Sequence, residues 1–139
     1  METPLFVHRL DVRFRDCDAL GHVNNAVYLT YLEQARFKHW RALWQFDEDR
    51  FPDPGIILAH VEIDYRSPAG IGETLDVRLA LGGVGRTSFT YEYEIVSARD
   101  GRLIATAKTV QVAYDYVASR PVPVPEEWRR LFLKVGSKR

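Results

Sequence analysis

Hydrophobic and polar residues alternate along five stretches of the chain, at positions 6–14, 57–65, 75–81, 89–95 and 104–114. Alternation with a period of two is typical of a strand that has one face buried and the other exposed. The pattern therefore predicts five half-buried strands, one of them ahead of residue 20 and four after residue 55.

Glycines mark two of the connections between these strands. Asp100-Gly101 lies between the last two strands, and a two-residue turn of this kind, in which both residues take positive φ, predicts a hairpin. Gly82, Gly83 and Gly85 join the third strand to the fourth and favour either a bulged hairpin or a close approach of a ligand to the backbone. Both connections are short, so antiparallel neighbours are expected.

Between the first and second strands the apolar residues change to a helical spacing. One side of this segment collects Leu29, Leu32, Arg36, Trp40 and Leu43. Such a stripe predicts one long helix that begins near Asn25, with Asn24 or Asn25 as its N-cap, and runs to about Phe46. Prolines and Gly55 end it, and a shorter helical segment is predicted from Glu126 to Phe132.

One long helix and a set of strands that are not interleaved with helices predict an α+β fold with a five-stranded antiparallel sheet. The 139 residues, 46% of them hydrophobic, are sufficient for one core. No repeat or low-complexity segment divides the chain, so a single domain over residues 1–139 is expected.

Charge and cysteine content narrow the classes of partner. Nineteen basic residues balance nineteen acidic ones, so neither nucleic acid nor an anionic membrane is expected as a partner. No signal-like segment opens the chain and no apolar run approaches the ~20 residues of a membrane span, which favours a cytoplasmic protein. The single Cys17 and the scattered histidines show no metal-ligand spacing, so no metal is expected.

Candidate chemistry is concentrated at residues 15–36, RDCDALGHVNNAVYLTYLEQAR. Asp18 stands four residues before His22, and the Asn24-Asn25 pair follows at the predicted start of the helix. This arrangement places a potential base beside unpaired backbone N–H donors that could polarise a carbonyl group. The segment therefore indicates chemistry on a carbonyl.

These same residues carry a family resemblance. GHVNNAVYL followed by LEQAR, with an aspartate four places before the histidine, and the segment PAGIGETL at 68–75 resemble the 4-hydroxybenzoyl-CoA thioesterase-like branch of the hotdog superfamily. The resemblance implies a sheet wrapped around the long helix and an acyl-CoA substrate, with coenzyme A as part of that substrate and no separate cofactor. It also implies a homodimer or homotetramer with active sites at the subunit interface.

The resemblance assigns catalytic roles by position. Asp18 would act as a general base, which near neutral pH calls for burial of the carboxylate, or as a nucleophile through a transient anhydride. The backbone N–H near Asn25 would polarise the carbonyl. His22 could orient the base, bond the thioester or its water, or satisfy a backbone carbonyl. The alternative for Asp16 and Asp18 is to cap the loop or to pair with Arg13 or Arg15, and this alternative is preferred for Asp16.

Further residues are candidates for substrate binding. Asn24 and Tyr28 lie near the expected acyl group, and an aliphatic acyl chain of medium or long length is favoured by the resemblance. Arg86 and Ser88 would contact coenzyme A, since an arginine beside hydroxyl and glycine backbone groups suits a phosphorylated ligand. Arg66 and Lys108 are additional candidates for this ligand. A nucleophilic role is not favoured for Cys17, which lies between two aspartates.

Three functions are compatible with these residues. An acyl-CoA thioesterase is preferred, ahead of a non-catalytic acyl-thioester-binding hotdog protein and of a hotdog dehydratase or isomerase that leaves the thioester intact. Release of a free thiol distinguishes the first from the other two. A carrier-protein thioester is an alternative to the coenzyme A ester.

Overall fold

Antiparallel pairing organises the part of the chain that the computed structural model describes, which is residues 1, 4–44 and 53–136, without the side chains of 133–136. The elements follow one another in the order β1 (Phe6–Asp11), a short 3-10 helix (Phe14–Asp16), α1 (Asn25–Trp44), β2 (Gly55–Tyr65), β3 (Thr74–Val84), β4 (Ser88–Ser97), β5 (Leu103–Asp115), β6 (Arg120–Pro121) and α2 (Glu126–Gly136). This is the predicted α+β architecture, to which the two-residue β6 is added.

The strands form one sheet in the order β1-β3-β4-β5-β2, and β6 pairs with β5. β1 and β2 flank α1 in sequence but lie at opposite edges of this path. β2 runs antiparallel to β5. The register of β2 against β5 shows which end of the sheet each end of β2 lies at, with Tyr65 beside Ala105 and Gly55 beside Tyr114. The long edge of β2 that faces away from β5 pairs with no other described strand.

The core lies between α1 and the inner face of the sheet. α1 buries Tyr28, Tyr31, Leu32, Ala35, Arg36, His39 and Trp40. β3 and β4 bury the residues that alternation predicted, among them Leu75, Val77, Leu79, Phe89, Tyr91, Tyr93 and Ile95. Two positions on the helix differ from the prediction. Leu29, expected on the buried face, is 40% exposed, and His39, which the helical stripe did not include, is buried.

An aromatic cluster attaches α2 to the remainder of the molecule. Trp128 packs against Trp44 with ring centroids 4.9 Å apart, and Phe132 packs against Phe89 at 5.0 Å. Trp128 and Phe132 are nearly inaccessible to solvent. Buried aromatic pairs of this kind contribute more than their area alone predicts, so α2 is an integral part of the core.

Alternation predicts a buried face of β5 made of Ile104, Thr106, Val110, Val112 and Tyr114, and this is correct for Ile104 but wrong for the later part of the strand. The apolar side chains of Val110, Val112 and Tyr114 are only partly buried, whereas Thr109 and Gln111 are fully buried. The physical reason is hydrogen bonding, because the Thr109 hydroxyl bonds the Tyr93 hydroxyl at 2.7 Å and the Gln111 amide donates to the Phe89 carbonyl at 3.0 Å. Polar side chains whose hydrogen bonds are satisfied can occupy a core, and hydrophobicity alone does not detect them.

Three smaller features also differ from the sequence pattern. β1 ends at Asp11, so Phe14 leaves the strand and is 82% exposed. In the β4–β5 turn Gly101 has a φ of +74° but Asp100 does not have a positive φ, so the connection is a hairpin with a longer turn than predicted. The predicted end of the first helix near Phe46 falls in residues 45–52, outside the described part of the chain.

The connection between β3 and β4 is a bulged hairpin, one of the two predicted alternatives. Pairing shifts by one residue between Leu81 and Gly83, and Val84 then pairs with Phe89. β2 contains a similar irregularity between Leu58 and His60. The half-buried pattern predicted for β2 is wrong for its first half, where Ile57 is 38% exposed.

None of the described helices has the length and apolar character required to cross a membrane.

Candidate active site

Asp16 anchors the loop that leads from β1 to α1. Its carboxylate accepts hydrogen bonds from the Arg13 backbone at 2.9 Å, the Arg13 guanidinium at 3.1 Å and the buried Tyr31 hydroxyl at 2.8 Å. Burial alone would raise the pKa of Asp16, but these donors outweigh it and the pKa lies below its usual value. The predicted pairing of Asp16 with Arg13 is confirmed, and this carboxylate is occupied by the fold.

Asp18 lies two residues further along, in a tight turn. Its N–H donates to the His22 carbonyl at 2.8 Å, and the N–H of Gly21, which has a φ of +80°, donates to the Asp18 carbonyl at 3.0 Å. One carboxylate oxygen accepts the Leu20 N–H at 2.9 Å. The other oxygen has no protein partner within the described residues. One carboxylate oxygen of Asp18 thus caps the loop, as the alternative to a catalytic role predicted. The other oxygen remains available to a ligand.

A second loop, residues 66–73 between β2 and β3, packs against this turn and forms the second side of the site. The Val23 N–H donates to Ala69 at 2.9 Å, and His22 bridges to Gly70. Arg102 holds this second loop in place, because its guanidinium donates to Ser67, to the Pro68 carbonyl and, at 2.7 Å, to Glu73. The family-like segment at 68–75 is therefore the structural partner of the Asp18 turn.

The start of α1 forms the third side. Asn24 is the N-cap, and its side-chain oxygen accepts the Ala26 N–H at 2.9 Å. Asn25 is the first helical residue, and its backbone N–H makes no hydrogen bond within the described part of the chain. The Asn25 carbonyl accepts the Tyr65 hydroxyl at 2.9 Å, which ties the helix start to the end of β2. A free N–H at the positive end of a 20-residue helix is suited to an oxyanion.

These three sides border an open cavity of about 310 Å³, here called the active-site cavity. It is lined by Asp18, His22, Val23, Asn25, Tyr28, Tyr65, Arg66, Ser67 and Pro68. Five residues that the sequence predicted thus come together at one surface, namely Asp18, His22, Asn25 and Tyr28, together with Arg66. Asn24 does not line the cavity, because its side chain is used to cap the helix.

The residues that sequence reasoning missed are Tyr65, Ser67 and Pro68. Ser67 and Pro68 adjoin the segment that carried part of the resemblance, which was the available signal. Tyr65 gave no signal, since an aromatic residue at the end of a strand is ordinary. Arg66, suggested for coenzyme A, lies in the active-site cavity, where its guanidinium is 4.0 Å from Asp64.

Tyr28 and Cys17 show how the surroundings set reactivity near the cavity. Burial raises the pKa of the Tyr28 phenol, and a hydrogen bond with the Ala69 backbone partly offsets this effect. Partial burial and the carboxylates of Asp16 and Asp18 raise the pKa of the Cys17 thiol. A raised pKa keeps the thiol protonated, in agreement with the expectation that Cys17 is not the nucleophile.

Arg86 and Ser88 lie at the other end of the sheet. The β3–β4 hairpin is held there by main-chain bonds from Ala113 to Thr87 at 2.9 Å and from Val124 to Arg86 at 2.8 Å. β5 spans the distance from Ala105, which pairs with Tyr65, to Ala113, and eight residues of strand cover about 26 Å. Within one protomer these two candidates are therefore not brought to the active-site cavity, and their coenzyme A role stays a prediction.

The remaining histidines are separate from one another. The His8 ring is 3.4 Å from the Gln34 side chain, His39 is buried in the core and His60 is exposed on β2. Among the described residues no group of three or more histidine, cysteine, aspartate or glutamate side chains is placed to hold a metal ion.

Comparison with known proteins agrees with this geometry. A family model described as the thioesterase-like superfamily matches residues 12–132. A 1,4-dihydroxy-2-naphthoyl-CoA hydrolase of Synechococcus elongatus is 30% identical over 83% of this chain and 85% of its own, and a long-chain acyl-CoA thioesterase of Escherichia coli is 27% identical over 87% and 92%. The crystal structure of a thioesterase from Thermus thermophilus, complexed with coenzyme A and Zn, is 34% identical, covers 100% of this chain and 99% of its own, and superposes with a TM-score of 0.84.

The family model spans most of the chain, and the sheet with its long central helix has the same fold as these thioesterases. The chain therefore belongs to the thioesterase-like superfamily, with a hotdog fold, and it is a thioester hydrolase.

Proposed function

We propose that the protein hydrolyses acyl-CoA thioesters to the free acid and coenzyme A in the active-site cavity. One observation carries the proposal, which is that Asp18, with one carboxylate oxygen free of protein partners, and Asn25, with its backbone N–H free at the start of α1, line the same cavity among the described residues. Relatives named as acyl-CoA thioesterases support coenzyme A as the thiol. Thioester hydrolysis requires an activated nucleophile and a donor for the developing oxyanion, and this cavity supplies one of each.

Two routes use these groups. As a base, Asp18 takes a proton from water while the water oxygen attacks the carbonyl carbon, and the C–S bond then breaks to release the thiolate. As a nucleophile, the carboxylate attacks directly, the thiolate leaves, and water hydrolyses the anhydride. Asp18 is exposed in the protomer, so the base route requires substrate or a second subunit to exclude water from it. A burst of thiol ahead of acid in rapid-quench kinetics is expected only for the anhydride route.

His22 is proposed to assist by binding the thioester or the attacking water. Its ring faces no hydrogen-bond partner among the described residues, and it lines the cavity beside Asp18. The Asn25 N–H would donate to the carbonyl oxygen as negative charge develops there. This arrangement needs no contribution from Asn24 beyond fixing the start of the helix.

The second part of the proposal is a homodimer formed by antiparallel pairing of two β2 edges. Unpaired edge strands are generally covered or paired, and the free edge of β2 is eleven residues long. Antiparallel pairing about a two-fold axis places the Tyr65 end of one protomer beside the Gly55 end of the other. The Asp18 end of each protomer would then lie next to the Arg86 end of its partner, which unites the two parts of the predicted substrate site.

The first prediction tests Asp18. Asp18→Asn keeps the shape of the side chain and its bond to Leu20, but it removes the carboxylate. The kcat for acyl-CoA hydrolysis, measured as thiol release, should fall at least about a hundredfold with the fold unchanged. Asp11→Asn is the matched control and should retain wild-type turnover, since in the described part of the chain this exposed aspartate of β1 accepts a hydrogen bond only from the Thr74 hydroxyl. Wild-type turnover by Asp18→Asn would remove Asp18 from the mechanism.

The second prediction tests the coenzyme A contact. The Arg86 side chain is exposed and has no partner within the described residues, so its charge is available for a phosphate. Arg86→Ala should raise the KM for acyl-CoA severalfold without raising the KM for short thiol esters that lack the nucleotide. Arg99→Ala, at an exposed arginine in the β4–β5 turn, should change neither. Equal effects on both kinds of ester would exclude Arg86 from the nucleotide site.

A further inference from the structure

Tyr65, the last residue of β2, lines the active-site cavity but takes no part in either route of hydrolysis. Its hydroxyl donates a 2.9 Å hydrogen bond to the carbonyl of Asn25, a residue 40 positions away in the sequence. Asn25 is also the residue whose N–H is proposed to receive the oxyanion. A side chain from a distant strand therefore contacts the residue that carries the oxyanion donor.

The Asn25 carbonyl does not require this bond in order to be satisfied. Inside an α-helix each carbonyl accepts the N–H four residues further on, so the first carbonyl of α1 has the Leu29 N–H as a partner. The groups that lack partners at the start of a helix are N–H groups. Tyr65 is also 46% exposed, so its hydroxyl could bond water instead. The bond from Tyr65 therefore serves to fix a position more than to satisfy a buried group.

The bonds around the first turn of α1 leave one N–H free. The Asn24 N–H donates to the Asp16 carbonyl at 2.9 Å, and the Val27 N–H donates to the Asn24 carbonyl at 2.9 Å. The Ala26 N–H donates to the Asn24 side chain, also at 2.9 Å. Among the backbone N–H groups of residues 24–27, the Asn25 N–H alone has no partner within the described part of the chain.

Two side chains hold the peptide group between Asn25 and Ala26. Its carbonyl accepts the Tyr65 hydroxyl, and its N–H donates to the Asn24 side chain. A peptide group is planar, so a bond at each end opposes its rotation. This peptide shares the Asn25 α-carbon with the peptide that carries the free N–H. The direction of the free N–H is therefore tied to the end of β2 as well as to the helix.

The ring of Tyr65 is itself held in place by aromatic packing. Its centroid lies 5.4 Å from that of Tyr28, which is 3% exposed, and the Tyr28 centroid lies 5.9 Å from that of Tyr31. The Tyr31 hydroxyl in turn donates to the Asp16 carboxylate at 2.8 Å. A packed row of three tyrosines thus connects the Tyr65 ring to the buried anchor of the site loop. Replacing Tyr65 by phenylalanine keeps this packing and removes only the hydroxyl.

We propose that Tyr65 is a positioning residue for thioester hydrolysis, whose hydroxyl holds the first residue of α1 so that the Asn25 N–H is directed at the carbonyl oxygen of the substrate. The inference rests on the proposed function and adds a residue that acts through Asn25. A donor with a fixed direction stabilises an oxyanion without reorganising, and loss of one such donor lowers kcat by about a hundredfold to a thousandfold. A donor that is present but less firmly directed should cost about tenfold.

Kinetics of Tyr65→Phe tests this role. The kcat for acyl-CoA hydrolysis should fall about tenfold, with KM within about twofold of wild type, because the positioned donor acts on charge that develops in the transition state. Tyr116→Phe is the matched control and should change neither constant. It removes the same kind of bond, from an exposed tyrosine hydroxyl to the Ile56 carbonyl of β2 at 3.0 Å, at the other end of the strand. Wild-type kcat in Tyr65→Phe, or a raised KM with unchanged kcat, would overturn the inference.

Infrared spectroscopy of a bound carbonyl provides a readout that a purely structural role would not move. The probe is a ketone analogue of acyl-CoA with a labelled carbonyl, in which a methylene group between sulfur and carbonyl prevents hydrolysis. Hydrogen bonding from the Asn25 N–H lowers the carbonyl stretching frequency, and Tyr65→Phe should reduce that shift while Tyr116→Phe retains it. An equal shift in Tyr65→Phe and wild type would overturn the inference.

Asp18→Asn separates this inference from the proposed function. It keeps the Asn25 donor, so it should retain the infrared shift while it loses thiol release. Wild-type thiol release by Asp18→Asn would contradict the proposed function, whatever the result at Tyr65. Loss of thiol release in Asp18→Asn together with wild-type kcat in Tyr65→Phe would overturn only the role of Tyr65.

Discussion

At the scale of single residues, neighbours determine which of several similar side chains is available for chemistry. Asp16 and Asp18 are two residues apart, but Asp16 is buried under three donors and Asp18 keeps one oxygen without a protein partner in the described chain. The histidines differ in the same way. His22 is exposed in the active-site cavity, whereas His39 is buried, 4% exposed, between Phe6 and Tyr91 with ring centroids 5.5 Å from each.

His39 leads to the third prediction, a pH-dependent stability. Burial lowers the pKa of His39 from 6.5 to about 4, so the unfolded chain binds a proton more readily than the folded one. The contribution to stability is complete above pH 6.5 and is lost as the pH falls towards 4. Lowering the pH from 7.5 to 5 should therefore reduce the free energy of unfolding by about 2 kcal/mol through this residue.

Urea denaturation of wild type and His39→Leu at both pH values measures this effect. The pH-dependent loss should be smaller in His39→Leu by that amount, whatever the stability of the variant at pH 7.5. His60→Leu, at an exposed histidine of β2, should show the wild-type pH dependence. An unchanged pH dependence in His39→Leu would mean that the pKa of His39 is not lowered in the folded chain.

At the scale of elements, the site depends on where α1 begins. The Asn24 side chain caps the helix and leaves the Asn25 N–H free, while Tyr65 bonds the Asn25 carbonyl from β2. Replacing the cap changes the stability of the first turn without removing a group from the active-site cavity, since Asn24 does not line it. Stability and substrate affinity should therefore respond differently at this position.

The fourth prediction separates these two effects. Asn24→Ala should reduce the free energy of unfolding by about 1 kcal/mol, and Asn24→Ser should restore most of it, because serine also caps a helix. The KM for acyl-CoA should stay within a factor of about two in both variants, since the lost bond is made to the protein and not to substrate. A large rise in KM for Asn24→Ala that serine does not reverse would indicate that Asn24 binds substrate.

At the scale of the whole molecule, the free edge of β2 leads to the fifth prediction. Leu58 is 44% exposed near the middle of this strand, where the proposed two-fold axis passes. Leu58→Lys should place like charges across that axis and produce monomers in sedimentation experiments. Because the proposed site combines two chains, kcat/KM for palmitoyl-CoA should fall at least about tenfold in the same variant.

Val7→Lys is the matched control for the opposite edge of the sheet. Val7 is 47% exposed on β1, so a lysine there should leave both assembly and activity as in the wild type. A Leu58→Lys monomer with wild-type kcat/KM would show that one chain contains a complete site. A wild-type protein that sediments as a monomer would contradict the dimer itself.

The sequence alone determined the features that depend on local pattern. Alternating residues located β1, β3 and β4, helical spacing located α1, and Asn24 was predicted as one of two caps for that helix. Four of the residues predicted for the site, among them Asp18 and Asn25, lie within eleven positions of one another, so a single turn and one helix start bring them together. These features depend on residues that are close together in the sequence, because local sterics and local hydrogen bonds determine strand alternation, helical spacing and helix capping.

Only the tertiary structure decided what depends on contacts between distant segments. The buried face of β5 follows from bonds that Thr109 and Gln111 make to β4, and Tyr65 joins the cavity because β2 ends beside the start of α1. The order of the strands placed Arg86 at the end of the sheet opposite Asp18 and left β2 at an edge. The pattern of hydrophobic residues along the chain cannot predict such pairings, because they depend on which backbone and side-chain groups, distant in sequence, form hydrogen bonds with one another.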